Sequence, residues 1–335
     1  MTRTLPVVAC LGEALVDRLG PLGGDPLIDK PVIDCFGGAP ANVACGLAKL
    51  GTNVAFIGRL GSDVISDKFR NLMKIRGVNI IGLQTDFKRP CRIVLVRRSN
   101  CGERTFNGFE GDQGDGFADQ ALDINQLKET FQILSKKVSW LLIGSIPLAS
   151  PISREALHWI VDMAIKQGIN IVFDVNWRPT FWNPNMDPTT GPNLLSIKEI
   201  TYLFECASLL KLAREEALWF FENDDPKKIS LSLSKKPDVV ITDGARPINW
   251  FLGGNSGQTA TIVPKVVQDT TGAGDAFMAG FLHKLALDSY SENKTIDFHE
   301  VVRFAAACGA ITCSGSGAID PQPTQAEVEK FLNFI

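Results

Sequence analysis

Histidine is scarce in this chain: His158, His283 and His299 are the only three in 335 residues, and they stand scattered rather than at metal-ligand spacing. A zinc site built on imidazole is therefore not expected. Long hydrophobic runs are also missing. The longest apolar stretches, such as Ala217 to Phe221 and Phe304 to Ile311, fall well short of the roughly 18 residues that a membrane helix needs. No membrane association is expected. The run of five apolar residues before Glu13, Val7 to Leu11, is too short for a secretory signal core and reads as a first strand. Neither sign of charge gathers into a block: 34 Lys and Arg stand against 37 Asp and Glu, a net charge of −3. That balance offers no grip on a phosphate backbone, so no nucleic-acid partner is expected. The eight cysteines (10, 35, 45, 91, 101, 206, 308 and 313) include no CxxC pair, and several lie in apolar segments. Free thiols in a reducing, cytoplasmic setting are expected rather than a disulfide framework.

What is present is an alternation. Short β-rich runs at Val7 to Leu11, Asn53 to Ile57, Val138 to Ile143, Ile169 to Asp174, Ser208 to Leu212 and Asp238 to Thr242 are separated by segments of helical period at 40–50, 62–76, 153–167 and 194–205. This is the pattern of an α/β fold with a mostly parallel sheet covered on both faces. Residues 22–36 and 91–107 interrupt the alternation and read as strands of a small separate sheet, with SNCGE (99–103) as a turn. The Gly- and Asp-rich stretch 108–119 reads as a mobile loop, and the proline-rich 182–193 as another. Thr324 and Glu327 have capping-box spacing and open a last short helix. A length of 335 residues suits two domains or one large α/β domain with an appendage.

Chemistry concentrates in DTTGAGDAFMAGF, Asp269 to Phe281. Gly272, Ala273 and Gly274 carry no bulky side chains where a polar turn becomes a helix, so their amides make an anion cradle. Asp275 follows in the first turn. It serves there either as a plain helix-terminal carboxylate or as an acceptor of a hydroxyl proton beside a transferring phosphoryl group. A P-loop is absent, and Phe277 stands where a dinucleotide fingerprint needs its third glycine. A second stretch, GGAPANVACGLAKLG (37–51), sets Gly37 and Gly38 before a helix opened by Pro40. Asn42 in its first turn can both give and take hydrogen bonds, as a sugar hydroxyl requires, or can be a helix-end residue. Asp17 lies beyond the carboxyl end of the first strand, where α/β sheets collect ligand groups and where turns also place carboxylates.

Together these stretches resemble the pfkB family of ribokinase-like carbohydrate kinases, and its fructokinase branch most closely. The two glycine-bearing stretches look like the family's two signatures. FIGRLGSD (56–63), DVNWRPTFW (174–182), LLKLAREEA (209–217), VVITDGA (239–245) and AAACGAITCSGSGAI (305–319) follow in family order. The resemblance implies one three-layer ribokinase-like kinase domain across 1–335, with a mostly parallel central sheet and a small β-sheet lid. It implies Asp275 as general base, Gly272, Ala273 and Gly274 as anion hole, and Asp17, Gly37, Gly38, Asn42 and Arg104 at the sugar. Asn176 and Arg178 would lie near the phosphates, and Lys211, Thr242 and Gly244 at the nucleotide. It implies ATP and Mg²⁺, a monovalent cation such as K⁺ held by Asp269, Thr271 and carbonyls near Gly315 and Gly317, and a homodimer formed through the lid. The sequence departs from the fructokinase pattern in two places. NGFEGDQGDGFAD replaces the usual lid segment after GERTF, and Val175 stands where the family carries proline. Fructose is the expected substrate. Ribose, 2-keto-3-deoxygluconate, a nucleoside, or a non-catalytic scaffold role are the alternatives.

Overall fold

The computed structural model describes residues 6–100, 104–288 and 296–334. From the amino end the chain forms β1 (Val8–Leu11), β2 (Leu15–Leu22), β3 (Ile33–Gly37), α1 (Ala39–Leu50), β4 (Val54–Gly61), α2 (Val64–Ile75) and β5 (Asn79–Asp86). Next come β6 (Ile93–Arg98), β7 (Arg104–Glu110), α3 (Ile124–Leu134), β8 (Trp140–Ile143), α4 (Pro151–Lys166), β9 (Asn170–Asp174), α5 (Pro179–Trp182), α6 (Leu194–Cys206) and β10 (Leu209–Ala213). The remainder holds α7 (Arg214–Phe221), α8 (Pro226–Ser232), β11 (Asp238–Asp243), β12 (Arg246–Leu252), β13 (Asn255–Thr259), α9 (Ala273–Asp288), α10 (Phe298–Thr312) and α11 (Gln325–Leu332).

Nine strands make one sheet in the order β13-β12-β11-β10-β9-β8-β1-β4-β5, parallel except where β12 and β13 run antiparallel at one edge. All six strands expected from the sequence are in it. Strand parity divides their side chains between two apolar clusters: Val8, Cys10, Val54, Phe56, Leu142, Val172, Leu209 and Val240 pack toward α1, α9 and α10. Their neighbours Ala9, Leu11, Ile57, Leu141, Ile171, Phe173, Leu210 and Ile241 pack toward α3, α4 and α6. The result is a helix–sheet–helix sandwich. Sequence chemistry sets the helix ends: Asp63 caps α2 through the Ser66 amide at 2.8 Å, and Thr324 and Glu327 form the expected box at α11. Gly51 closes α1 in the left-handed conformation.

A second sheet, β3-β2-β6-β7, lies apart. Its strands fall largely within the expected stretches but with other bounds: β3, β6 and the start of β7 lie there, while the first strand begins at Leu15 rather than 22, a turn fills 23–32, and the last runs on to Glu110. Residues 101–103 of the expected SNCGE turn lie outside the described residues. The stretch 108–119 also differs from a free loop, since it starts as strand and ends anchored. Asp112 accepts from the amides of Gly114 and Gly116 at 2.8 Å each. Phe117 is buried, and Asp119 is ion-paired with Arg92 at 2.9 Å, both side chains only 4% exposed. Its glycines and aspartates form turns around these two anchors.

Candidate active site

The sheet's carboxyl edge, the start of α9 and the lid sheet converge on one cleft. Gly272 stands at a φ of +77°, and a Cβ there would lie 2.5 Å from the Ala318 side chain, so this turn admits only glycine. The first-turn amides of α9 have no intrahelical acceptors, although Ala273 N reaches Thr270 O at 3.2 Å. Asp275 sits in that first turn. Asn42 Nδ2 donates to its Oδ2 at 2.7 Å, joining the two glycine-bearing stretches 233 residues apart. Burial raises the Asp275 pKa to about 6; the Asn42 hydrogen bond opposes that and Asp174 adds to it. A carboxylate tuned this way is ionised at neutral pH yet basic enough to take a hydroxyl proton.

On the lid side, Asp17 lies within β2 opposite Cys35 of β3. Gly37 leaves a gap between Asp17 and Asn42: a Cβ there would stand 3.5 Å from Asp17 Oδ2 and 4.0 Å from Asn42 Oδ1. Asn42 Oδ1 is buried without a hydrogen-bond partner. Gly38, at a φ of +105°, is pressed against the Glu13 carbonyl, where a Cβ would approach within 2.5 Å. Burial pushes Asp17 up to about 6, with Arg104 and Arg178 pulling it back. Two carboxylates and an amide thus border a space that the glycines leave open.

On the opposite side, strand parity carries Lys211 of β10 and Asp174 of β9 toward α9, in register with each other. Lys211 Nζ meets Asp174 Oδ1 at 2.9 Å. A Cβ on Gly274 would stand 3.5 Å from Lys211 Nζ, so an ammonium faces the helix start across the anion cradle. Burial works against the Lys211 charge, but Asp174 and Glu216 outweigh it and raise its pKa. Thr242 and Gly244 lie at the end of β11, next to β10. Asn176, at a φ of +45°, turns the chain after β9, and Arg178 Nη1 donates to the Trp177 carbonyl at 2.8 Å.

The third group is Asp269, Thr271 and Gly317. Thr271 N and Oγ1 donate to Asp269 Oδ1 at 3.0 and 2.7 Å, and Gly317 N donates to Oδ2 at 2.9 Å. Gly315 lies two residues before Gly317, its amide donating to the Thr312 carbonyl at 3.2 Å and its Cα packed against Pro321. Arg104, expected at the sugar, donates from Nη2 to Asp269 Oδ2 and from Nη1 to Thr271 Oγ1, each at 2.8 Å, while remaining close enough to Asp17 to lower its pKa.

Three carboxylates escaped the sequence reading as site residues: Asp174, paired with Lys211, and two that hold loops. Glu216 accepts from Trp177 N and Ala213 N at 2.7 Å each, pinning the loops after β9 and β10 together. Its position three residues past a strand end was the available signal. Glu13 Oε1 accepts from Ala39 N at 2.9 Å and so caps α1, whose own N-cap Gly38 has no side chain to do so. Its sign was an acid two residues past an apolar strand.

The comparisons with known proteins fit this geometry. The chain is 32% identical over 336 residues to a protein named probable fructokinase-6, chloroplastic, from Arabidopsis thaliana, covering 99% of this chain and 83% of that one. The fold matches a fructokinase with bound ATP from Xylella fastidiosa with a TM-score of 0.79 at 25% identity, over 98% of both chains. It also matches a fructokinase from Vibrio cholerae in a fructose-, ADP- and calcium-bound form, with a TM-score of 0.77 at 26% identity, over 98% of this chain and 99% of that one. The model of the pfkB family carbohydrate kinases matches residues 7–325, and the chain belongs to that family of phosphotransferases acting on a sugar hydroxyl.

Proposed function

We propose that the protein is an ATP-dependent fructokinase, one kinase domain with a lid, that phosphorylates the 6-hydroxyl of fructose in a reducing compartment such as the cytoplasm. The observation that carries this reading is the Asn42–Asp275 hydrogen bond, which sets a raised-pKa carboxylate between the glycine-bordered pocket and the start of α9. Fructose and nucleotide bound to the Vibrio cholerae relative, and ATP bound to that from Xylella fastidiosa, support the choice of substrates. The described cysteines are all free, in keeping with the compartment.

In this reading Asp17 and Asn42 orient the sugar and Asp275 Oδ1 or Oδ2 accepts the proton from the attacking hydroxyl. The α9 amides and Lys211 hold the transferring phosphoryl group, while Thr242 and Gly244 border the nucleotide. Among the described residues no three His, Cys, Asp or Glu come close enough to cage a metal ion. Mg²⁺ needs no such cage, because it keeps waters and shares phosphate oxygens with one or two carboxylates. Asp174, buried beside Lys211 and close enough to raise the Asp275 pKa, fits that need and would hold it. When bound, the ion supplies neutralisation of phosphate charge.

The test is a coupled ADP-release assay with fructose, ribose, 2-keto-3-deoxygluconate and a nucleoside. Fructose is expected to have the highest kcat/KM. Replacing Asp275 by Asn is expected to lower kcat by about 10²- to 10⁴-fold with nucleotide binding retained. A preference for another substrate would move the assignment within the family, and no turnover with any of them would leave only the scaffold role.

A further inference from the structure

The resemblance implies a monovalent cation near Asp269, and the Asp269 side chain has no free acceptor to offer one. A carboxylate offers about four acceptor positions. On Asp269 all are engaged, Oδ1 by the Thr271 amide and hydroxyl and Oδ2 by the Gly317 amide and the Arg104 guanidinium. The Thr271 hydroxyl spends its proton on Asp269 and accepts from Arg104 at 2.8 Å. The Asp269 side chain is 7% exposed, so solvent does not supply further room. A cation seated on this carboxylate would have to displace Arg104 or sit against its charge.

We propose that Arg104 is this protein's built-in cation: a positioning residue that neutralises Asp269 from the lid, ties β7 to the turn preceding α9, and makes the enzyme independent of monovalent metal ions. Arg104 lies on a lid strand and Asp269 lies three residues before Gly272, so the pair couples lid closure to the shape of the anion cradle. Arginine suits the task, since its charge is permanent and its fork donates to two acceptors at once. A free ion would stabilise the turn without reference to the lid. Arg104 does so only with the lid in place.

The proposal rests on the kinase reading only for its activity readout. Wild type, Arg104→Met and Arg104→Lys are compared in KCl and in tetramethylammonium chloride at equal ionic strength, by sugar-dependent ADP release and by thermal melting. Wild type is expected to show the same kcat and the same melting temperature in both salts. Arg104→Met, which keeps the apolar stem and loses the charge, is expected to be stabilised by KCl. It should also be activated by it by about fivefold or more. Arg104→Lys is expected to remain independent of K⁺. Activation or stabilisation of wild type by K⁺ would overturn the proposal, as would an Arg104→Met protein on which K⁺ has no effect. If no sugar is turned over, the kinase reading fails, while the melting comparison still decides the role of Arg104. Should Arg104→Met not fold, hydrogen exchange of peptides covering 266–275 in wild type decides: protection by K⁺ over tetramethylammonium refutes the proposal and equal protection upholds it.

Discussion

Asp275 and Asp17 carry the same tuning for different ends. Both pKa values are raised to about 6 by burial, and in the proposed reaction both groups must be ionised, one to accept a proton and the other to accept two sugar hydroxyls. The acid limb of log kcat/KM is therefore expected near pH 6, with a limiting slope of about 2 in wild type and about 1 in Asp17→Asn. A wild-type limb near pH 4, measured with fructose across that range, would show that neither group is so tuned. The same raised value destabilises the ligand-free fold. Between the ordinary aspartate range and pH 6 the folded state binds more protons than the unfolded one, so stability falls as pH rises through that window and stays reduced above it. Asp275→Asn removes the penalty while keeping an oxygen to accept from Asn42. Allowing for partial exposure, it is expected to stabilise the apo protein by about 1 to 2 kcal/mol at pH 8 and by nothing near pH 3, read by urea denaturation. Asp275 was legible in sequence because the glycines around it announce a close approach. Glu13 and Glu216 were not, because their work is to hold backbone amides of loops whose proximity only the fold creates.

Among the elements, the central strands read directly from their apolar runs, since burial on both faces leaves no polar position to blur them. The edges did not. β5 mixes Asn79, Gln84 and Thr85 into its pattern because it has one neighbour in the sheet, and the β12–β13 hairpin turns at Gly253-Gly254, a signal available in sequence but outweighed by the polar strand after it. The lid loop misled for another reason: its composition is that of a mobile segment, but it is held by residues outside it, Arg92 above all, with Arg89 donating to the Asp115 carbonyl at 2.8 Å and Arg18 paired with Glu110 at 2.5 Å. Arg92 lies 4.8 Å from the Phe109 ring centre, 4.5 Å from Phe117 and 4.7 Å from Phe181, and pairs with Asp119. This box joins lid, loop and the short helix α5. Arg92→Met is expected to cost about 3 kcal/mol or more, because it strands a buried Asp119 charge. Hydrogen exchange of 111–121 should rise, and adding Asp119→Leu should restore most of the stability. Exchange as fast in wild type as in Arg92→Met would mean that the box orders nothing.

For the molecule as a whole, the lid poses a problem of stability that the body does not. A four-stranded sheet with one face toward the cleft has no helix layer of its own, and the distal end of its β2–β3 hairpin leaves Leu22, Leu27, Ile28 and Ile33 exposed, Ile28 by 79%. Exposed apolar residues gathered on one projecting element mark an interaction surface, and a second copy of the same lid offers a matching one by two-fold symmetry. Burying one such side chain contributes about 1.5 to 3 kcal/mol, and each of two lids brings four. We therefore expect a homodimer formed lid to lid, in which pairing also holds Asp17 and Arg104 over the cleft. Sedimentation velocity at tens of micromolar should give a dimer for wild type. Ile28→Glu combined with Ile33→Glu should give a folded monomer with an unchanged KM for ATP and a raised KM for fructose. A wild-type monomer at that concentration, or a double variant that stays dimeric, would place the exposed hairpin outside any self-association and leave the lid held by its contacts with the body, the Arg104–Asp269 pair, the Arg92 box and Phe36 against Phe69 among them.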